Sequence, residues 1–144
     1  MRCIVLGSGS KGNATLVEAG QTRILIDNGF SGKELLARLQ LAGIDPASLS
    51  AVLLTHEHND HIGGVGVLSR RLQLPVYANV PTHRAAEGRL GRIASRLEFN
   101  TGDIFSLGDL QIHAFSVGHD TADPVGFTVH DGQHTLGYCT DTGA

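Results

Sequence analysis

Apolar positions along the chain change period several times, and the changes outline the elements. Residues 2–6 read as a first strand. Residues 14–18 alternate like a strand, and with the strand at 22–27 they are joined by Ala19-Gly20-Gln21, which predicts a hairpin. The period then lengthens: Leu35, Leu36 and Leu39, with Ala42, share one helical face. Ser31 and Glu34 stand ahead of them as a capping box, and Gly43 closes the helix. Asp45-Pro46 opens a short helical turn. Residues 51–55 form a continuous apolar run, the pattern of a strand covered on both faces.

Beyond this run, residues 62–72 carry a helical pattern despite Gly63, Gly64 and Gly66. Residues 74–78 read as a strand and 81–88 as a short helix opened by Pro81; 89–100 fit neither period. Residues 104–107 and 110–117 are expected as strands around Gly108-Asp109. Residues 125–130 and 133–140 are expected as a hairpin around Asp131-Gly132, a strong two-residue turn signal. Strand pairs mixed with strand–helix units predict an α/β fold: a mixed sheet with helices on one face, whose other face needs a partner layer. The chain shows no repeat, linker or low-complexity segment.

The densest chemistry is His56-Glu57-His58-Asn59-Asp60-His61, directly after the run at 51–55. Neutral imidazole and carboxylate suit borderline and hard divalent ions. A solvated polar loop is the plainer alternative. The spacing departs from the zinc-protease helix H-E-x-x-H, because position 60 is Asp. His56 and His58 point the same way only on extended backbone, while Asp60 and His61 are adjacent and cannot both join them. Two directions suit two ions, His56 and His58 on one, Asp60 and His61 on the other. Ions roughly 3.5–4 Å apart trap a bridging hydroxide and clamp a displacement.

Residues 7–12 mimic a dinucleotide-binding fingerprint, with Asp27 twenty residues after Gly7. That motif needs a helix after its glycines, and here an alternating strand follows. A turn beside the active site, with Ser8 and Asn13 in reach of substrate, is the better reading.

Residues 55–64, Thr-His-Glu-His-Asn-Asp-His-Ile-Gly-Gly, resemble the HxHxDH signature of the metallo-β-lactamase-fold hydrolases. Leu25-Ile26-Asp27 resembles the early strand of that family, His119 stands where it carries a third histidine, and Asp141 where it has a bridging aspartate. The opening at 6–13 and the closing Cys139-Thr140-Asp141-Thr142-Gly143 look like the YycJ/WalJ-like branch, which is linked to nuclease activity. The resemblance implies the first αβ half of an αβ/βα sandwich. It implies one ion on His56, His58 and His119, and a second on Asp60 and His61, bridged by Asp141. Asp60 is expected to serve also as a proton acceptor, and Asp27 to orient a histidine through its ring N–H. The ions are expected to be two Zn²⁺, with Mn²⁺ as the alternative. The family has a further ligand histidine downstream of its bridging aspartate, so residues 1–144 are expected to be the N-terminal portion of one such domain, without its C-terminal half.

Charge adds one point. The net charge is −3, yet Arg70, Arg71, Arg84, Arg89, Arg92 and Arg96 fall in one segment, while residues 101–144 hold six Asp and no Lys or Arg. A basic patch beside a metal site would hold phosphates, although helix surfaces are commonly charged anyway. The resemblance implies hydrolysis of phosphodiesters, in DNA or RNA ahead of small phosphodiesters. A small thioester or lactone hydrolase, a redox di-iron centre and a catalytically incomplete fragment are the rivals. Cys3 and Cys139 are expected as free thiols, the location as cytoplasmic, without a membrane span, and a homo-oligomer remains open. His83, His113, His130 and His134 are expected to be structural or on the surface, and Glu57 exposed or orienting.

Overall fold

Alternation and register together sort the side chains into two cores. In the computed structural model, which describes residues 1–118 and 121–139, the hairpin strands are β2 (Ala14–Ala19) and β3 (Thr22–Ile26). Strand β4 (Ala51–Leu53) lies parallel to β3, and β5 (Pro75–Asn79) parallel to β4. Leu16, Leu25, Val52 and Val76 stand side by side in register and enter one core with Leu35, Leu39, Val65 and Leu68 of the helices. Their neighbours Val17, Ile24 and Ala51 point the other way, into a second core. A sheet buried on both faces explains why residues 51–54 are apolar without interruption.

Two further strands complete this sheet, β1 (Arg2–Gly7) antiparallel to β2 and β6 (Ser95–Phe99) parallel to β5, giving the sequential order β1-β2-β3-β4-β5-β6. Strand β6 occupies part of the stretch that fits neither period. Its side chains are exposed except for Phe99, so neither hydrophobic alternation nor a continuous run marks it.

The partner layer for the second face comes from the same chain. Strands β7 (Ile104–Leu107), β8 (Leu110–Ser116), β9 (Val125–His130) and β10 (Thr135–Tyr138) form an antiparallel sheet in the order β10-β9-β8-β7. Leu110, Ile112, Ala114, Phe127 and Val129 pack from it against Ile24, Ile26 and Leu53. The sequence reading left that face waiting for a layer; the molecule is two sheets face to face, with helices outside the larger one.

Helix α1 (Gly32–Leu41) starts at Ser31, whose hydroxyl accepts the Glu34 N–H at 3.2 Å. The Glu34 carboxylate takes Arg38 Nε at 2.9 Å instead of completing the capping box. A 3-10 turn spans Pro46–Ser48. The helix expected over 62–72 is two helices, α2 (Asn59–Ile62) and α3 (Val65–Leu72). Close packing breaks it: a β-carbon on Gly64 would lie 1.8 Å from the Phe30 carbonyl oxygen, and the Gly64 N–H bonds Asn28 O at 3.0 Å. Helix α4 (Val80–Leu90) is longer than expected at both ends; it starts early because the Asn79 side chain caps it by accepting the Thr82 N–H, and it runs on to the cap at Gly91. Among the described residues, no helix is long and apolar enough to cross a membrane.

Candidate metal centre

Strands β1, β3 and β4 all run in one direction, since β1 and β3 are each antiparallel to β2 and β4 is parallel to β3. The segments that follow them, 8–13, 27–29 and 55–61, therefore gather at one end of the sheet. Open α/β sheets bind ligands at this carboxyl edge.

Asp27 leaves β3 with a φ of 63°, a left-handed conformation that Asp adopts more readily than most side chains. Its N–H keeps Leu53 O at 2.8 Å, and its fully buried carboxylate meets the histidine motif. Oδ1 accepts the Thr55 N–H at 2.9 Å. Oδ2 accepts the Thr55 hydroxyl at 2.6 Å and His61 Nδ1–H at 2.7 Å. A hydroxyl has one proton, and this one goes to the carboxylate, so Thr55 Oγ1 in turn accepts from His56 Nδ1 at 2.8 Å. Both rings are thus held with the proton on Nδ1 and a lone pair on Nε2. A neutral imidazole lone pair is what a divalent ion takes up.

The rings converge. Those of His56 and His58 are 4.8 Å apart between centroids, and those of His56 and His61 are 4.2 Å apart. His58 is extended, with φ −65° and ψ 143°, and α2 starts at the next residue. The sequence reading set Asp60 and His61 apart from the first two histidines. In the structure α2 carries His61 back onto His56, anchored by Asn28 N–H to His61 O at 2.7 Å, and His61 Nε2 lies 3.8 Å from Asp60 Oδ2. The two directions meet in one place.

Burial first, then the neighbouring His61, pushes His56 below the usual imidazole range. His61 moves the other way: burial opposes its charged form, but the hydrogen bond and charge of Asp27, with Asp60 beside it, outweigh burial and raise it. Ligand-type atoms of Asp27, His56 and His61 all lie within 4.8 Å of one another. Asp27 already accepts three hydrogen bonds, so its place is behind the histidines. The side chains of His56, His58, Asp60 and His61 are of the types that divalent ions take up.

Asn13 locks the β1–β2 loop to the motif. Its N–H bonds Asp60 O at 2.8 Å, and its Nδ2 reaches Asp60 Oδ2 at 3.2 Å and Gly9 O at 2.8 Å. Ser8 and Asn13 border a cavity of about 450 Å³ together with Thr15, Asp60, His61 and Tyr138. Burial, followed by the charge of Asp27, pushes the Tyr138 phenol up.

His119 and Asp141 lie outside the described residues. Glu57 accepts the Ala122 N–H on Oε2 at 2.9 Å, tying the segment after β8 to the motif. His83 is buried and donates from Nε2 to Leu97 O at 2.9 Å. His113 packs against Phe115, His130 Nδ1 accepts the Gly132 N–H, and His134 is exposed beside Asp131. Cys3 and Cys139 are exposed, and neither is in a disulfide.

Two of the six arginines of that segment are engaged within the fold. Arg70 is spent on the carbonyls of Leu90 and Arg92, and Arg96 pairs with Glu87 and Glu98. Arg89 alone of the six borders a cavity with His58 and Asp60. Sequence reasoning gave Thr55 no role; the signal was a hydroxyl directly before the first histidine.

A family model described as the metallo-beta-lactamase superfamily matches residues 7–144. The chain is 41% identical over 141 residues to exodeoxyribonuclease YycJ of Bacillus anthracis and 38% identical over 143 residues to exodeoxyribonuclease WalJ of Streptococcus pneumoniae. Each alignment covers 96% of this chain and 53% of the relative. The chain therefore spans about half the length of these curated relatives. In fold it is similar to the metallo-beta-lactamase fold protein YhfI from Bacillus subtilis, with a TM-score of 0.78 at 22% identity, covering 96% of this chain and 62% of that one.

Proposed function

This chain belongs to the metallo-beta-lactamase superfamily, and on that footing we propose that it supplies the metal-binding part of a hydrolase acting on DNA phosphodiesters. The observation that carries the reading is the proton arrangement of Asp27, Thr55, His56 and His61, which leaves two Nε2 lone pairs beside His58 and the Asp60 carboxylate. Nothing in core packing calls for it. The substrate class is supported by the likeness, at 38–41% identity, to relatives named exodeoxyribonucleases.

His56, His58 and His119 would hold one ion and Asp60 with His61 a second, with Asp141 bridging; His119 and Asp141 enter from the sequence resemblance. When bound, a pair of Zn²⁺ or Mn²⁺ ions brings the pKa of water towards roughly 7 and offsets charge developing on phosphorus. The chain's own residues do the rest. Asp27 and Thr55 fix the imidazole tautomers, so that His56 and His61 need no rearrangement to bind. Asn13 orients the Asp60 carboxylate. In this reading Asp60 also accepts a proton from an attacking water, and Ser8 and Asn13 border the space beside it.

Elemental analysis of the purified chain, paired with release of nucleotides from single-stranded DNA, tests the reading. Uptake of divalent ions by the chain is expected, and Asp60→Ala should lose ion binding and DNA hydrolysis together. A chain that takes up no divalent ion at micromolar concentrations, or an Asp60→Ala variant that keeps full hydrolysis, overturns it.

A further inference from the structure

Two cavities flank Asp60, and they differ in charge. The one bordered by Ser8, Asn13, Thr15, His61 and Tyr138 has no Lys or Arg in its lining among the described residues. The other, a groove of about 500 Å³, is bordered by Ser10, Lys11, His58, Asn59, Asp60 and Arg89. Lys11 comes from the β1–β2 loop and Arg89 from the last turn of α4, so the fold brings two distant cations to one opening beside the histidines. Among the described residues neither has an ion-pair partner, and the nearby Glu87 is engaged by Arg96. Asp60 is the acid that lines the groove, and an ion at the site would neutralise it.

We propose that the Lys11–Arg89 groove holds backbone phosphates of the DNA strand on the body side of the bond being cut, while the cavity without Lys or Arg receives the strand's end. This rests on the reading of the site as a DNA phosphodiesterase. Exposed cations are strongly hydrated and bind a single phosphate weakly. A strand that lays successive phosphates along both gains from each contact and releases counterions, so affinity falls with salt. The asymmetry gives the strand one direction across the site. A chain-end hydrolase needs such a direction; an enzyme of small diesters does not.

The test is binding of a fluorescein-labelled 12-nucleotide thymidine strand, followed by anisotropy in EDTA, which prevents cleavage and removes ions from the reading. Each of Lys11→Gln and Arg89→Gln should weaken binding roughly threefold, and the double variant roughly tenfold, in line with exposed charge pairs. Each lost contact should make the plot of log affinity against log salt shallower by roughly 0.7. In hydrolysis, the loss in the double variant should be larger on the 12-mer than on a dinucleotide. Both side chains are exposed, and unchanged melting temperatures show that the variants fold. No binding by the unaltered chain, or an unchanged salt slope in the folded double variant, overturns the groove. If the slope changes as expected but no phosphodiester is cut by the unaltered metal-loaded chain, the hydrolase reading fails and the phosphate groove stands.

Discussion

Asp27 Oδ2 accepts the His61 Nδ1–H at 2.7 Å, across 34 residues of sequence, from a side chain with no solvent exposure. That bond sets which nitrogen of His61 faces Asp60. It also makes the histidine more basic than burial alone would.

Replacing Asp27 by Asn keeps the shape and the left-handed backbone but removes the charge that holds the tautomer. Affinity for Zn²⁺, measured by chelator competition, should fall roughly 10- to 100-fold, the usual effect of losing a residue that orients a ligand histidine. Unchanged affinity in a folded variant would show that Asp27 serves folding alone.

Thr55 relays between Asp27 and His56, donating to one and accepting from the other. Thr55→Val removes the hydroxyl and leaves buried polar atoms on both neighbours without this partner, which should destabilise the protein by about 1–3 kcal/mol in urea unfolding. Thr55→Ser keeps the hydroxyl and should recover most of the loss. Equal stability of the two variants would remove the relay.

Glycines separate by their surroundings. Gly64→Ala places a methyl 1.8 Å from the Phe30 carbonyl oxygen and Gly29→Ala one 1.9 Å from that of Asp60. Backbone cannot yield there, and each variant should melt far below the parent. Gly88, within α4, has open space where a β-carbon would stand, so Gly88→Ala should stabilise by roughly 0.5–1 kcal/mol through helix propensity. Calorimetry of the three variants checks both signs.

The pH dependence of stability has a component from His83. Burial chiefly lowers its pKa from 6.5, so the unfolded chain binds this proton more readily than the folded one. Its neutral form is free of penalty above pH 6.5, and stability is lost as pH falls from there towards the depressed folded value. His61 has the opposite sign: its raised pKa adds stability at low pH, lost as pH rises through the folded value. Comparing melting temperatures of the metal-free parent and His83→Gln from pH 7.5 to 5 isolates the first contribution. The variant should show the shallower acid decline, and parallel curves would count against it.

The sequence by itself determined the strands with clear alternation, the hairpins, α1 and the contiguous cluster at 56–61, because these depend on neighbours within a few residues. The run at 51–54 already required cover on both faces. Only the tertiary structure decided what that cover is: alternation in the last four strands says that one face is buried, not against which surface. Strand β6 gave no alternating signal, since only Phe99 is buried along it. The break between α2 and α3 arises where Gly64 meets Phe30, a contact no local period encodes. The proton arrangement joins Asp27 to Thr55 and His61, 28 and 34 residues away. Hydrogen-bond partners at such separations are chosen by sheet register and by the turn after β3, so the side-chain types of the candidate site were written in the chain, but their tautomers and convergence were set by the fold.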